Sequence, residues 1–465
     1  MASSTHTQGY QAIGSFHSEN VDDLMSQSDD VYIPPVLPFD SLRTIADAYD
    51  ASHPADSSDF LLDRSTWTFL NHGAFGAGLK VGFQRSQQWR YYLEQQPLRY
   101  FDRDLLPHLV YSARRMAEFV AAPREAVTLI PNVTNGLNTV LRGYANTYPE
   151  ESHVVLWDTS YGSLKKIARR YCKKVTEIPV SHYFDQAWNH ENPSEIFEHA
   201  LQETLSQNNN EEMRNALLVL DQTTSNTALN MPLASLSQIA KNQHDMLVLV
   251  DGAHGLLAQD VVLNESSLPH VDLYLANGHK WLSCPRGIAM IYCPSPTMRD
   301  TILAEPACMS HGVDQGYQSR FLWDGCRDYA AALSLPAVLD YWEQQHENVP
   351  NMLLDKRNQA VQLLSQMWHA TNDDGRTTLA PLSLHAPMMA LVKVPERLQR
   401  KTLPHHYNAT STDAKRIQDY LYDQYIEVPI KCIRGVLYVR ISCHVYNESD
   451  EYKLLGHTLL QCPTL

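Results

Sequence analysis

The sequence lacks several features that mark particular classes of protein. No stretch of the 465 residues approaches the ~18 uninterrupted apolar residues that a membrane-spanning helix needs. The N-terminus has no basic segment followed by an apolar one, and the first Lys or Arg is Arg43, which disfavours a signal peptide and an Arg-rich transit peptide. These absences predict a soluble protein that is not secreted, with the cytoplasm as its compartment.

Positive charge is scarce, and the cysteines form no pattern. The chain has 37 Lys and Arg against 52 Asp and Glu, a net charge of −15, and no long basic run. Proteins that bind nucleic acid or anionic membranes need clustered Lys and Arg, so neither partner is expected. The 8 cysteines show no C-x-x-C pair or other metal-ligand spacing, and we interpret them as reduced, mostly buried thiols. No metal site is predicted.

What the chain does contain is an alternation of apolar strands with helical segments. Two runs, 217–220 and 247–250, are continuously apolar, which is typical of parallel strands covered by helices on both faces. We therefore predict an α/β fold with a mostly parallel seven-stranded sheet. Its candidate strands are 126–131, 153–158, 175–180, 216–221, 246–251, 271–276 and 287–293.

Composition divides the chain into three parts. Residues 1–57 are rich in Ser, Asp, His and Gln and are predicted to be a flexible, disordered leader rather than a partner-binding segment. Residues 58–335 form the large α/β domain, and residues 336–465 a smaller α+β domain at the C-terminus. A ligand pocket is expected in the seam between two such domains.

Polar residues follow four of the apolar strands. In an open parallel sheet, ligands bind beyond the carboxyl ends of the strands, so these residues are candidates for a site. The four segments are Asn132-Val-Thr134-Asn135-Gly136, Asp221-Gln-Thr, Asp251-Gly-Ala-His254 and Asn277-Gly-His279-Lys280.

Together these residues match what an anionic aromatic cofactor held by a lysine requires. Thr134 and Asn135 lie at a helix start, where backbone N–H groups bind phosphate, and His279 is a further phosphate donor. Asp251 can pair with a cationic ring nitrogen, and Lys280 supplies the amine. Each piece alone also has a structural explanation: a helix cap for the Asp, a turn for Thr-Asn-Gly and a surface position for His-Lys. Their order and spacing favour the cofactor site.

The same segments resemble a known family. Asp251-Gly-Ala-His254, Asn277-Gly-His279-Lys280-Trp281 and Pro285-Arg286-Gly287 resemble the class V aminotransferase group of fold-type I pyridoxal-phosphate enzymes. Residues 71–76, 132–138, 323–329 and 438–447 are similar to its isopenicillin N epimerase-like branch, and within it to L-cysteine desulfhydrases and hercynylcysteine sulfoxide lyase-type enzymes. The resemblance covers about residues 65–460. It implies pyridoxal 5'-phosphate as cofactor, a small-molecule amino-acid substrate and a homodimer.

The resemblance also implies roles for individual residues. Lys280 would hold the cofactor covalently, Asp251 would pair with its ring nitrogen, and His254 would approach the ring hydroxyl. Thr134, Asn135 and His279 would hold the phosphate. The remaining implied site residues are Asn277 and Asp221 beside the cofactor, Tyr161 stacked on its ring, and Arg440, Asn71 and His72 at the substrate. Tyr161 has an equal alternative as a Tyr packed in the core, while the fork of Arg440 suits a carboxylate.

Three departures from the family pattern stand out. Many relatives have Gln where this chain has His254, and Ser where it has Asn277; both replacements can still donate hydrogen bonds. At Cys326 close relatives have a Thr that often reaches the phosphate of the neighbouring subunit, and a thiol is a poorer donor. Cys308 and Cys326 are interpreted as small buried hydrophobes, so no cysteine is assigned as a persulfide nucleophile.

The resemblance favours a carbon–sulfur β-lyase acting on cysteine or an S-substituted cysteine. Lys280 is the natural base for the Cα proton. Epimerisation and transamination begin with the same step and stay open as alternatives, and a non-catalytic scaffold is the least favoured one. Arg99, Arg103 and Arg320 could meet a second substrate carboxylate or could simply be solvated.

Overall fold

The computed structural model describes residues 21–39, 55–208, 213–264, 266–345, 348–369, 376–403 and 406–464. Its strands in the large domain are β1 (Thr68–Phe69), β2 (Val127–Ile130), β3 (His153–Trp157), β4 (Lys174–Ile178), β5 (Leu217–Asp221), β6 (Leu247–Asp251), β7 (Leu273–Asn277) and β8 (Ala289–Tyr292). Those that follow are β9 (Met389–Lys393), β10 (Lys401–Leu403), β11 (His406–Tyr407), β12 (Ile426–Glu427), β13 (Ile430–Ile433) and β14 (Val436–Ser442).

The central sheet has seven strands in the order β2-β8-β7-β6-β5-β3-β4. The pairs β7-β6, β6-β5, β5-β3 and β3-β4 are parallel, and β8 runs antiparallel to both of its neighbours. Each predicted strand is present, with its ends shifted by at most two residues. The predicted mostly parallel, seven-stranded α/β sheet is therefore confirmed.

Helices cover both faces of this sheet. Leu218 and Leu220 of β5 point into one hydrophobic core, whereas Leu217 and Val219 point into another on the opposite face. The run 217–220 is continuously apolar because β5 is buried on both faces of the sheet. Within the described residues up to 345, the α-helices are Val21–Ser26, His72–Phe75, Lys80–Gln95, Pro97–Arg99, Leu105–Phe119, Val133–Thr147, Gly162–Tyr171, Glu195–Ser206, Leu233–His244, Pro296–Asp300, Tyr317–Leu322, Ala330–Leu333 and Leu335–Glu343.

A smaller layer follows at the C-terminus. An antiparallel sheet of order β13-β14-β9 packs against the helices Val349–His369, Ser411–Asp423 and Ser449–Gln461. The helix Val349–His369 joins the two domains, because Val349 and Leu353 lie in the large core and Leu364 lies in the small one. The predicted boundary at residue 336 falls within the preceding helix, Leu335–Glu343, which still packs on the large core.

The first described segment corrects part of the leader prediction. Residues 21–39 lie within the predicted disordered leader, yet Val21–Ser26 is a helix whose Val21 and Met25 are fully buried. Arg114 donates hydrogen bonds to the carbonyls of Leu24 and Met25, at 3.0 and 3.1 Å. Val21 and Met25, four residues apart, face the same side of this helix and anchor it. The sequence did not reveal the helix, because two apolar residues in a polar region give too short a pattern. Across the described ranges, no helix is both long and apolar enough to cross a membrane.

Candidate active site

The polar strand ends meet at a cavity of about 680 Å³ between the two domains. Its floor is formed by the carboxyl ends of β5, β6 and β7, as expected for a parallel sheet. Among the predicted site residues, those on its lining are Thr134, Tyr161, Asp221, Asp251, His254, Asn277, His279, Lys280 and Arg440. Asn71, His72 and Asn135 are not on the lining.

One end of the cavity is the start of the helix Val133–Thr147. Asn132 caps this helix, because its side-chain oxygen accepts the N–H of Asn135 at 2.9 Å. The side chain of Asn277, at the end of β7, accepts the N–H of Val133 at 3.1 Å. Asn277 therefore fixes the helix start against the sheet, and Asn135 contributes to the cap rather than to the lining. A helix N-terminus held in this way is a site for an anion.

His279 stands beside this anion site. Its Nδ1 is buried and has no hydrogen-bond partner among the described residues. Burial, with the neighbouring charges of Lys280 and Arg286, lowers the His279 pKa to about 4, so the ring is neutral at pH 7. A buried ring nitrogen facing a cavity needs a partner from a ligand or water.

Lys280 is held by a hydrogen-bonded chain of three residues. Trp281 donates its indole N–H to Nδ1 of His254 at 3.1 Å, and Nε2 of His254 lies 3.1 Å from Nζ of Lys280. Since an indole N–H can only donate, the proton of the neutral imidazole is on Nε2. Burial holds the His254 pKa well below its usual range, so this ring stays neutral. His254 therefore donates to Lys280, which requires the lysine to be a neutral amine.

The pKa of Lys280 agrees with that geometry. Burial lowers it to about 8, while Asp251 opposes the shift and Arg440 adds to it. A buried lysine with a lowered pKa is a nucleophile near neutral pH.

Two carboxylates lie side by side at the ends of β5 and β6. Asp221 and Asp251 are directly opposite in the strand register. Asp251 accepts the N–H of Ala253 at 3.0 Å, whereas Asp221 accepts the hydroxyl of Ser160 at 2.5 Å. Burial raises the pKa of both, and the charge of Asp251 helps to raise that of Asp221 to about 7. Lys280 and the N–H of Ala253 favour the ionised form of Asp251, so we place the negative charge there.

Arg440 forms the opposite wall. It comes from β14 of the small domain and is almost completely buried. It donates to the carbonyl of Ser225 and to the side-chain oxygen of Asn71, the latter at 3.1 Å. Its Nε is buried and unpartnered within the described part of the chain. The guanidinium is thus oriented by the protein and keeps a donor for a carboxylate.

The predicted substrate contact His72 lies behind Lys280 instead of in the cavity. Its Nε2 is 3.0 Å from the carbonyl oxygen of Lys280, and its Nδ1 is 2.9 Å from the hydroxyl of Tyr446. The ring stacks on His444 with centroids 4.1 Å apart. The segment 71–76 passes close to the backbone of His279 at Gly76, where a Cβ would be 1.8 Å from the carbonyl oxygen of His279. The φ of Gly76 is +69°, which also favours glycine. Residues 71–76 therefore support the backbone of His279 and Lys280.

Tyr161 and the two loop cysteines differ in their relation to the site. Tyr161 lines the cavity and is 43% exposed, so it is not packed in the core. Cys308 and Cys326 are exposed, which corrects their interpretation as buried hydrophobes, and neither is on the lining. Both lie in loop segments, one between Asp300 and Tyr317 and the other between Leu322 and Ala330, where no regular element holds the side chain against the core.

Sequence reasoning missed Lys431 on β13, which also lines the cavity. The signal was available, because the turn at Arg434 and Gly435 joins two alternating strands and so places Lys431 on the same face as Arg440. The three arginines considered for a second substrate carboxylate are not on the cavity lining. Arg99 and Arg103 are paired with Asp104 and Asp102, and Arg320 donates to the carbonyls of Arg299 and Leu303.

These residues fit pyridoxal 5'-phosphate. The helix start and the unpartnered Nδ1 of His279 suit its phosphate, Asp251 suits its ring nitrogen, and the neutral amine of Lys280 suits its aldehyde. The Nε2–H of His254 is available to the ring hydroxyl once it no longer donates to the free amine.

Comparisons with known proteins agree with this chemistry. A family model described as aminotransferase class-V matches residues 108–378. An L-cysteine desulfhydrase of Arabidopsis thaliana is 24% identical over 87% of this chain and 89% of its own length. An isopenicillin N epimerase of Streptomyces clavuligerus is 24% identical over 84% of this chain and 93% of its own. Among solved structures, a complex of the cystine C–S lyase C-DES with cysteine persulfide has a TM-score of 0.63 at 19% identity, covering 85% of this chain and 97% of the other.

Proposed function

The chain belongs to the class V aminotransferase family and is a pyridoxal 5'-phosphate-dependent enzyme, and on this premise we propose that it is a carbon–sulfur lyase for cysteine or an S-substituted cysteine. The reaction removes the Cα proton and the sulfur group at Cβ. The sulfur leaves as hydrogen sulfide from cysteine or as a thiol from an S-substituted cysteine, and hydrolysis of the remainder gives pyruvate and ammonia. The likeness to L-cysteine desulfhydrases over more than four fifths of the chain supports the carbon–sulfur step.

The observation that carries the proposal is the presence of the Lys280 amine and the Arg440 guanidinium in one cavity. When bound, pyridoxal phosphate withdraws electrons from Cα and so makes its proton acidic. Arg440 binds the substrate carboxylate and thereby fixes the direction of the Cα–H bond. Lys280, whose pKa burial lowers to about 8, accepts the proton in its neutral form.

Two further residues sustain this arrangement. The Asp251 carboxylate would face the ring nitrogen of the cofactor and hold a proton on it, for which its buried position beside Asp221 is suited. Trp281 fixes the tautomer of His254, so the donor next to Lys280 is always Nε2–H. Asp251 and Trp281 are both buried, so water screens their effect on nearby charge only weakly.

The test is to incubate the purified holoenzyme with L-cysteine and with S-substituted L-cysteines and to measure pyruvate and thiol in equal amounts. The Lys280→Ala variant is the matched control and is expected to release neither. Carrying out the reaction in D₂O and following exchange of the Cα proton separates proton removal from elimination. Exchange without pyruvate would contradict the proposal.

Epimerisation is the second candidate, favoured by the likeness to an isopenicillin N epimerase over 84% of this chain. It requires that a proton return to Cα from the face opposite to the one it left. Appearance of the D-amino acid, measured by chiral chromatography, together with absence of pyruvate would support it.

We also propose that the enzyme is a cytoplasmic homodimer. Phe75 lines the cavity and is 64% exposed, so a second subunit packed against this edge would cover it. Sedimentation velocity of the holoenzyme tests the dimer, and a monomer at micromolar concentration would contradict it. Imaging of a C-terminally tagged protein in cells tests the compartment.

A further inference from the structure

The small domain contributes two residues to the cavity lining, Lys431 and Arg440, and both are cations. They lie on neighbouring antiparallel strands, where Lys431 is opposite Tyr438, and Arg440 follows two residues later. Alternation of side chains along a strand places residues 431, 438 and 440 on one face of the sheet. The two positive charges are therefore diagonal neighbours that face the same space.

Lys431 differs from the other cations of the cavity in having no partner among the residues that the structure describes. Arg440 is held by Ser225 and Asn71, and Arg286 donates to the carbonyl of Gly76 at 3.1 Å. Lys280 lies against His254. Within the described ranges, neither a carboxylate nor any hydrogen-bonding group pairs with the half-buried Lys431.

An unpaired, half-buried charge on Lys431 destabilises the protein when no ligand is bound. Burial, with the nearby charge of Arg440, lowers the Lys431 pKa to about 8. A cation that is removed from water without a counter-ion is stabilised when a ligand brings one. The acids of the same cavity do not serve this purpose, because Asp221 and Asp251 are committed at the opposite end to Ser160 and to the N–H of Ala253.

The anions expected in the cavity leave Lys431 unassigned. The cofactor phosphate is accounted for by the helix Val133–Thr147 and His279 of the large domain. The α-carboxylate of an amino acid is accounted for by the fork of Arg440. Lys431, next to Arg440 on the same face of the sheet, is therefore left without an anion.

We infer that Lys431 binds a second anionic group at the end of the substrate side chain, so that the preferred substrate is an acidic S-substituted cysteine. This inference names the substrate class of the proposed lyase and rests on it. A charge-assisted contact of this kind gives a preference of roughly tenfold to a hundredfold for an acidic over an uncharged side chain of the same length.

The first experiment measures binding without turnover. L-2-aminoadipate and L-norleucine have side chains of similar length, only the first ends in a carboxylate, and neither has a leaving group at Cβ. Their dissociation constants for the holoenzyme are measured from the change in cofactor absorbance. Tighter binding of aminoadipate, lost in Lys431→Met and kept in Lys431→Arg, supports the inference. Equal binding of both ligands, or a preference that survives in Lys431→Met, overturns it.

Two controls make the result specific. Lys453→Met removes a lysine that pairs with Asp450 on the exposed face of the last helix, and it should leave the preference unchanged. Lys431→Gln is used if the Met variant does not fold, as judged by its melting temperature. Norleucine affinity should be the same in all variants, since its carboxylate depends on Arg440.

The second experiment measures turnover and separates the two proposals. Values of kcat/KM for pyruvate release are compared for S-(2-carboxyethyl)-L-cysteine and S-propyl-L-cysteine. A Lys431-dependent binding preference with no pyruvate from either compound supports the anion site and contradicts the lyase. Equal kcat/KM for both compounds supports the lyase and overturns the anion site.

Discussion

At the scale of single residues, the protonation of Lys280 is set by its immediate neighbours. Burial lowers its pKa to about 8, and the Nε2–H of His254 points at the amine. Only the neutral amine reacts with an aldehyde. We expect covalent attachment of pyridoxal phosphate to the cofactor-free protein to accelerate as the pH rises, with a midpoint near pH 8.

Stopped-flow absorbance measures this rate, and borohydride reduction followed by peptide mass spectrometry locates the modification. Lys280→Ala should show no covalent product. A label on Lys431, whose pKa is lowered to the same value, would contradict the assignment.

The indole of Trp281 controls the same amine from one residue further away. Trp281→Phe removes the donor to Nδ1 of His254, so the imidazole proton is free to move to Nδ1. Nε2 then becomes an acceptor, which stabilises the ammonium form of Lys280. We expect the midpoint of cofactor attachment to move to higher pH. Trp368→Phe removes an indole that donates to Gly456 in the small domain and should leave the midpoint where it was.

At the scale of elements, the helix Val133–Thr147 depends on its cap. Asn132→Ala removes the acceptor for the N–H of Asn135 and should cost about 1 kcal/mol of stability. It should also weaken phosphate binding, because the helix start becomes less ordered. Urea unfolding and the dissociation constant of pyridoxal phosphate measure the two effects. Asn192→Ala, which changes an exposed turn before another helix, should leave cofactor affinity unchanged.

The helix Val21–Ser26 is expected to stabilise the large domain. Asp22 accepts the N–H groups of Gln318 and Ser319 at 3.0 and 3.2 Å, at the start of the helix Tyr317–Leu322. Asp22→Ala leaves these amides unpaired and should lower the free energy of unfolding by about 1–2 kcal/mol. Asp23, the exposed neighbour, provides the control: Asp23→Ala should have the stability of the wild type.

The elements were largely predictable from sequence, for a local reason. An apolar run such as that of β5 or β6 carries its own signal, because both faces are buried whatever the rest of the chain does. The helix at Val21 carries no such signal, since its burial depends on Arg114 and residues 318–319, far away in the sequence. The predictable part is therefore the part that does not depend on long-range contacts.

At the scale of the whole molecule, the site combines two domains. That Lys280 and Asp251 line one cavity was predictable from the strand ends. The placement of His72 behind the lysine was not, because the motif around it is equally compatible with a substrate contact. Lys431 was missed although it could have been found, because the two-residue turn at Arg434 and Gly435 fixes the register of β13 with β14.

The two domains are tied by the pairing of β1 with β12. The N–H of Thr68 donates to the carbonyl of Tyr425 at 2.9 Å, three residues before Asn71, which orients Arg440. Thr68→Pro removes this donor and should cost about 1–3 kcal/mol of stability. It should raise the KM for the amino acid while cofactor affinity stays constant. Thr68→Ala keeps the backbone N–H and serves as control; a change in cofactor affinity alone would contradict the prediction.

The same pairing has a consequence for how the enzyme is made. Leu70 lies in the small core, its N–H donates to Glu427 and its carbonyl accepts from Ser442. During synthesis on the ribosome, this early segment therefore stays without these partners until residues 427–442 have been translated. On the roles proposed here, Lys280 and the helix Val133–Thr147 are translated well before Arg440, so a growing polypeptide would contain the residues for the vitamin-derived group before those for the amino acid.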